Sequence, residues 1–224
     1  RKEAGVADGH PVPRLNPDQF DAASELRFRT EAEFYIHLEK SFFAGMKKLL
    51  KEDLGVKSLV AGTADHNDGY CGYPHIESNM MFDFIDGHGY WQHPQIGAVT
   101  KITNTPMVND PLDSTIVQFA RTPVVGYPYT ISETNHPFPH EYACEGIPAL
   151  TAYALLHDWD GIYWFCLDRM QRTENPGISQ WFDMGDDPVK VTQIAACAPM
   201  WYRQDVSPAK ERIVRSYTHD YAVD

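Results

Sequence analysis

The sequence predicts an α/β protein built from parallel βα units. Two patterns and one bound predict it. Short apolar runs alternate with stretches of helical period, the order that makes βαβ units and a parallel sheet. Every such run ends in polar or aromatic residues, whereas the starts are bland. That one-sidedness marks a ligand site at the C-terminal ends of parallel strands. The bound is length: 224 residues with 43% hydrophobic content suit one domain with a sizeable core.

Residues 1–20 are polar, contain proline and read as irregular. Helical spacing runs from Asp21 to Leu50, with Phe28, Ala32, Tyr35, Phe42, Met46 and Leu49 on the apolar side. Gly55 stops that helix. Val56–Ala61 reads as a first buried strand, which opens into Asp65, His66 and Asn67. A short helix near Ile76–Met81 leads to a second strand, Phe82–Asp86, that closes at Gly87-His88-Gly89-Tyr90-Trp91. After a Pro- and Asn-rich connection, a helix is expected at Ser114–Ala120. The third strand is Tyr129–Ser132, followed at once by Glu133, Thr134, Asn135 and His136. A helix over Ile147–His157 precedes the strongest apolar run, Gly161–Leu167. Pro188–Met200 forms the last helix, with Pro188 in the first turn, where its missing N–H costs nothing. Residues 21–205 thus hold the βα units, and 206–224 form a C-terminal extension.

The formal net charge of −12 disfavours a nucleic-acid partner, which needs an excess of Lys and Arg, and equally an anionic membrane. No apolar run reaches the ~20 residues of a spanning helix, and no signal peptide is visible. The four cysteines, Cys71, Cys144, Cys166 and Cys197, contain no Cys-x-x-Cys pair and leave the compartment open, extracellular and periplasmic included. No Gly-rich phosphate loop occurs, so no nucleotide cofactor is expected. Ten histidines raise the question of a metal. Asp86-x-His88 and His136-x3-His140 could supply ligands, but Pro137 and Pro139 keep the second pair off a helical face, and no metal is expected. A Gly-x-Ser-x-Gly elbow is absent, which weighs against serine chemistry.

The segment around Glu133 carries the most chemistry. A lone carboxylate at the mouth of a buried strand is costly unless it is hydrogen-bonded or functional. Glycoside hydrolysis needs a fixed, ionised carboxylate as nucleophile and a second carboxyl as proton donor. Tyr90, Trp91 and Trp164 offer flat faces that suit the C–H faces of sugars. His88, between two glycines, and Asp65, His66, Asn67 and Asn135 could contact hydroxyls. Glu145 reads as a first-turn helix residue and Glu141 as a candidate cleft liner.

Taken in order, Asp86-Gly87-His88-Gly89-Tyr90-Trp91, Ser132-Glu133-Thr134-Asn135 and His157-Asp158-Trp159-Asp160-Gly161 resemble the C-terminal half of a glycoside hydrolase barrel. The likeness is to the large clan of retaining β-glycosidases with two catalytic glutamates, cellulase-like and β-galactosidase-like members among them, and it covers about residues 25–205. It implies strands five to eight of a (β/α)8 TIM barrel. It implies Glu133 as nucleophile on strand seven, Trp164 as sugar floor on strand eight, and His88 and Tyr90 from strand six beside the nucleophile. One departure is plain: no strand ending in Asn-Glu precedes the first helix, so the clan's acid/base glutamate is missing. Together with the Arg-Lys-Glu start, this makes a fragment of a longer polysaccharide-degrading hydrolase the expectation. Such a fragment would be completed by a missing N-terminal barrel half or by self-association. If the chain is instead whole, Glu77 and Glu141 are the first acid/base candidates. A non-catalytic carbohydrate-binding or scaffold barrel and a metal-dependent hydrolase are the alternative readings.

Overall fold

A computed structural model of the chain describes residues 1–64, 73–167, 177–178 and 180–223. Its centre is a three-stranded, all-parallel sheet in the order β1-β2-β3, formed by β1 (Ile85–Tyr90), β2 (Tyr129–Asn135) and β3 (Gly161–Trp164). Around it lie α1 (Glu25–Lys48), α2 (Tyr73–Asn79), α3 (Thr115–Ala120), α4 (Gly146–His157), α5 (Pro188–Arg203) and α6 (His219–Val223). The fold is α/β, as the alternation predicts.

Three of the helices, α1, α3 and α5, start at a side-chain cap. Ser24 accepts the Arg27 N–H, Ser114 that of Val117, and Asp187 those of Val189 and Lys190. The first helix therefore begins four residues later than the periodicity suggests. The core joins the inward residues of the strands, Ile85, Tyr129 and Ile131, to Phe119 of α3 and to Leu150 and Ala154 of α4, with Trp159 beneath. Burying seven such side chains gives the sheet its helix-covered face. A smaller cluster of Ile147, Met184 and Cys197 ties α4 to α5.

All four expected strands have different bounds in the structure; the third runs on past Ser132 to Asn135 as β2. Val56–Ala61 forms no strand. The Val60 N–H is taken by Asp83 Oδ2 at 2.9 Å, and just beyond the run the Thr63 N–H by Asn79 Oδ1 at 2.8 Å, so both are lost to a ladder. The segment still flanks β1: the His88 N–H donates to the Ala64 carbonyl at 3.1 Å. The second strand is shifted to Ile85–Tyr90, because pairing with β2 carries it through Gly87-His88-Gly89. Phe82 instead precedes the strand and packs edge-on against Phe43 of α1. The last strand stops at Trp164. Beyond it Cys166 exchanges backbone hydrogen bonds with Phe182 and Met184, which draws the chain off the sheet.

β2 carries one extra residue. Ile131 pairs with Gly87, but His88 pairs with Glu133, so Ser132 bulges. The same surplus appears against β3, where Ile131–Thr134 spans Ile162–Trp164.

Candidate functional site

Alternation along the strands sorts the side chains into two faces. Ile85, Gly87 and Gly89 of β1 turn to α3 and α4; a Cβ on Gly89 would lie 3.1 Å from the Phe119 ring. Asp86, His88 and Tyr90 turn the other way. On β2 the bulge restores the phase, so Glu133 shares a face with His88 and Tyr90, and Thr130 with Asp86.

These residues form one connected polar cluster. The Tyr90 hydroxyl donates to Glu133 Oε1. Glu133 Oε2 lies 3.6 Å from His88 Nδ1. The other ring nitrogen, Nε2, is 2.7 Å from Ser132 Oγ and 3.8 Å from Asp86 Oδ2. Ser132 and Thr130 each donate a hydroxyl proton to Asp86, one to either oxygen. Asp86 is thereby buried and committed to two donors. Glu133 keeps 30% of its side chain open to solvent, and His88 keeps 33%.

The chemistry follows from those partners. Burial, then the bond to Glu133, pushes the Tyr90 phenol far above its ordinary range. Tyr90 therefore stays a neutral donor at every working pH and fixes one carboxylate oxygen. The ring itself is walled by Phe182 and His93, at centroid distances of 4.2 and 5.5 Å. What results is an accessible carboxylate, oriented by one phenol and faced by one imidazole.

The other sequence candidates fall elsewhere. Trp164 pairs with Thr134 on the helix side and packs against both hydrophobic clusters, so it serves the core and is not a floor beneath Glu133. Trp91 is buried, with its indole N–H donated to the Thr105 carbonyl at 2.8 Å. Asn135 is buried too. Its amide donates to the carbonyls of Phe165 and Phe182 at 2.6 and 2.8 Å and pins the chain that leaves β3. Its role is structural. Asp65, His66 and Asn67 lie outside the described residues. Glu141 lines an open groove of about 490 Å³, shared with Phe138, His140 and Pro188, and Glu133 is not part of that wall. Glu145 accepts the N–H groups of Met107 and Val108. Glu77 is bound to Lys40 and His219 far down the chain.

Sequence reading missed Asp86, Thr130 and Ser132 as members of the cluster. The signal for Asp86 and Thr130 was their place directly across the strands, which no linear spacing reveals. Among the described residues no three His, Cys, Asp or Glu side chains gather to hold a metal ion. His136 and His140 stack edge to face at 5.3 Å, and His140 spends Nδ1 on the Tyr142 N–H.

His136 has a different consequence. Burial first, then His140 and Lys190, push its imidazole down to about 3. The folded protein keeps the ring neutral, while the unfolded chain takes up a proton near 6.5. Stability is thus unaffected above pH 6.5 and falls as pH drops from there toward 3. The slope is about 1.4 kcal/mol per pH unit for that one proton. Denaturant titrations of wild type and His136→Gln across pH 4–7 should differ by one proton's slope; parallel curves would show that the ring is protonated in the fold.

Among the described residues no helix is long and apolar enough to cross a membrane. No family model, no curated protein and no solved structure matches this chain.

Proposed function

We propose that this chain is the nucleophile-bearing part of a retaining glycoside hydrolase acting on a β-linked poly- or oligosaccharide, with Glu133 as nucleophile. The observation that carries the reading is the state of Glu133. It is accessible, sits on a parallel strand near its C-terminal end, and is held through Oε1 by a phenol that remains protonated. A nucleophilic carboxylate must be aimed, and the Tyr90 bond fixes one of its oxygens.

The proposal extends to the fold: β1, β2 and β3 would be strands six, seven and eight of a (β/α)8 barrel. Their sequential parallel order, with α3 and α4 on one face and polar residues on the other, supports that assignment. In the barrel the polar face would line the interior. The place of strand five, beside β1, is touched by the Ala64 carbonyl, although no strand forms there.

The reaction runs in two displacements. Glu133 attacks the anomeric carbon and the glycosidic oxygen leaves with a proton from a second carboxyl. Water then attacks the anomeric carbon of the glycosyl ester, giving its proton to the second carboxylate, which releases the sugar and restores both carboxyl groups to their starting states. Retention requires that second carboxyl about 5–5.5 Å from the first. Asp86 is a poor proton donor, since both its oxygens accept hydroxyl protons. The donor in this reading comes from a completing barrel half. The same commitment of Asp86 favours a second reading, a carbohydrate-binding barrel without turnover.

A trapping experiment separates the two. Dinitrophenyl 2-deoxy-2-fluoro-β-glucoside and -galactoside need little acid help to leave, and the fluorine slows the second step. Mass spectrometry should find one fluoroglycosyl group on the peptide containing Glu133. A chain that binds oligosaccharide and stays unlabelled by both reagents would be the binding protein; a label elsewhere would dismiss Glu133.

A further inference from the structure

After α5 the chain returns along the outside of the molecule. The Ala209 N–H donates to the Leu156 carbonyl at 2.8 Å, and Arg212 pairs with Asp158 just beyond α4 at 2.8 Å. It then reaches the far side and lays α6 across α1 and α2. There Tyr217 stacks on Tyr73 with ring centroids 3.9 Å apart and their hydroxyls 2.7 Å apart. Asp220 pairs with Arg29 of α1, and Val223 is buried. Residues 204–223 thus form a strap from the sheet domain to the N-terminal helices.

At its tip both nitrogens of one imidazole meet carboxylates. His219 Nδ1 lies 2.9 Å from Glu77 Oε2 of α2, and Nε2 lies 3.0 Å from Glu33 Oε1 of α1. A neutral imidazole carries one N–H and one lone pair. It can donate to one carboxylate only, and must turn its lone pair on the other. The geometry therefore fits the imidazolium alone. We propose that the strap is a pH-sensitive latch: it is held more firmly on α1 and α2 while His219 is protonated, and opens more often once His219 loses that proton.

The surrounding charges agree. Glu77 and then Glu33 hold the His219 pKa above its ordinary 6.5, with slight burial opposing. The Glu77 carboxyl is held low: burial works against its ionisation, and the hydrogen bonds from Lys40 and His219 outweigh that. The other charged and titratable groups facing this corner are Arg29 and Lys40 on α1, Asp220 and Tyr221 on α6, and Tyr73, Arg215 and Tyr217 nearby. Because the folded pKa is raised, the stabilisation is fully present below pH 6.5 and is lost as pH rises through the folded value. Among the described residues, the other imidazoles on these helices are His75, 2.8 Å from Glu39, and His37, one turn from Glu33 on α1.

Hydrogen exchange of the strap tests this on the full chain. Protection factors for the peptide spanning residues 218–223, corrected for intrinsic rates, should fall roughly threefold or more between pH 5.5 and 8.5, given two exposed ion pairs. His219→Gln should show low protection at both pH values, and Glu77→Gln should move the midpoint to lower pH. Wild-type protection that is flat across this range would overturn the latch. So would an unchanged pH dependence in His219→Gln, which would assign the effect to a group other than His219. Proton NMR of the His219 ring gives a second readout, since a midpoint at or below 6.5 would show that the carboxylates do not hold the imidazolium.

Discussion

Replacing Glu133 with alanine should lower turnover of an activated aryl β-glycoside at least ~10³-fold while leaving the fold in place. The side chain is partly solvated, and its main structural bond is the one to Tyr90. Stranding that phenol costs on the order of 1–3 kcal/mol, which a domain of this size tolerates. The distinguishing feature is rescue. A small external nucleophile such as azide should restore turnover of Glu133→Ala and give the glycosyl azide of inverted configuration. A variant that is inactive but not rescued would point to a positioning role for Glu133. Tyr90→Phe should cost less, about 10- to 100-fold, because the carboxylate survives and loses one oriented donor. Equal losses in the two variants would contradict this division of labour.

Gly146→Ala should destabilise the fold although it places a better helix former in a helix. Gly146 opens α4, and an added Cβ would sit 2.4 Å from His136 Nδ1 and 2.6 Å from Cε1. Helix propensity alone favours alanine by about 1 kcal/mol. The ring it would strike is buried and has nowhere to move. On one side stands His140, and the backbone carbonyl of His136 is held at 2.6 Å by the buried ammonium of Lys190. Overpacking of that kind costs typically 1–3 kcal/mol and at times more, so the clash wins. Chemical denaturation should report a net loss of about 1–2 kcal/mol. Adding His136→Ala opens the space, and the double variant should lose less than the sum of the singles. Strict additivity would mean that the ring and the new methyl never meet.

The sequence was most legible where one residue type serves one local purpose. Pro188 sits in the first turn of α5, a helix forms over Thr115–Ala120 where one was expected at Ser114–Ala120, and the apolar runs at Tyr129 and Gly161 enter the sheet. It was least legible where pairing partners decide. Gly87-His88-Gly89 reads as the close of the second strand, yet β2 supplies a ladder that extends β1 through it. Val56–Ala61 reads as a strand, yet Asp83 takes the Val60 donor within it and Asn79 the Thr63 donor just beyond. The same divide runs through the site. Glu133, His88 and Tyr90 could be nominated from their places in the chain, and they do meet. Trp164 could not be sorted, because its face depends on a bulge in the neighbouring strand. Asp86 and Thr130 became visible only when the strands lay side by side.

That bulge also sets how β2 should respond to substitution. Up to Ile131 the residues packed under α3 and α4 carry odd numbers; from Thr134 onward the helix-facing residue carries an even one. A map of tolerated replacements along 129–134 should therefore change parity once, at Ser132. Excising Ser132 should leave every partner of β1 in place, whereas excising Thr130 or Ile131 should turn Tyr129 out of the core. One position in this strand is dispensable to the order of its neighbours, and it is the residue next to the proposed nucleophile.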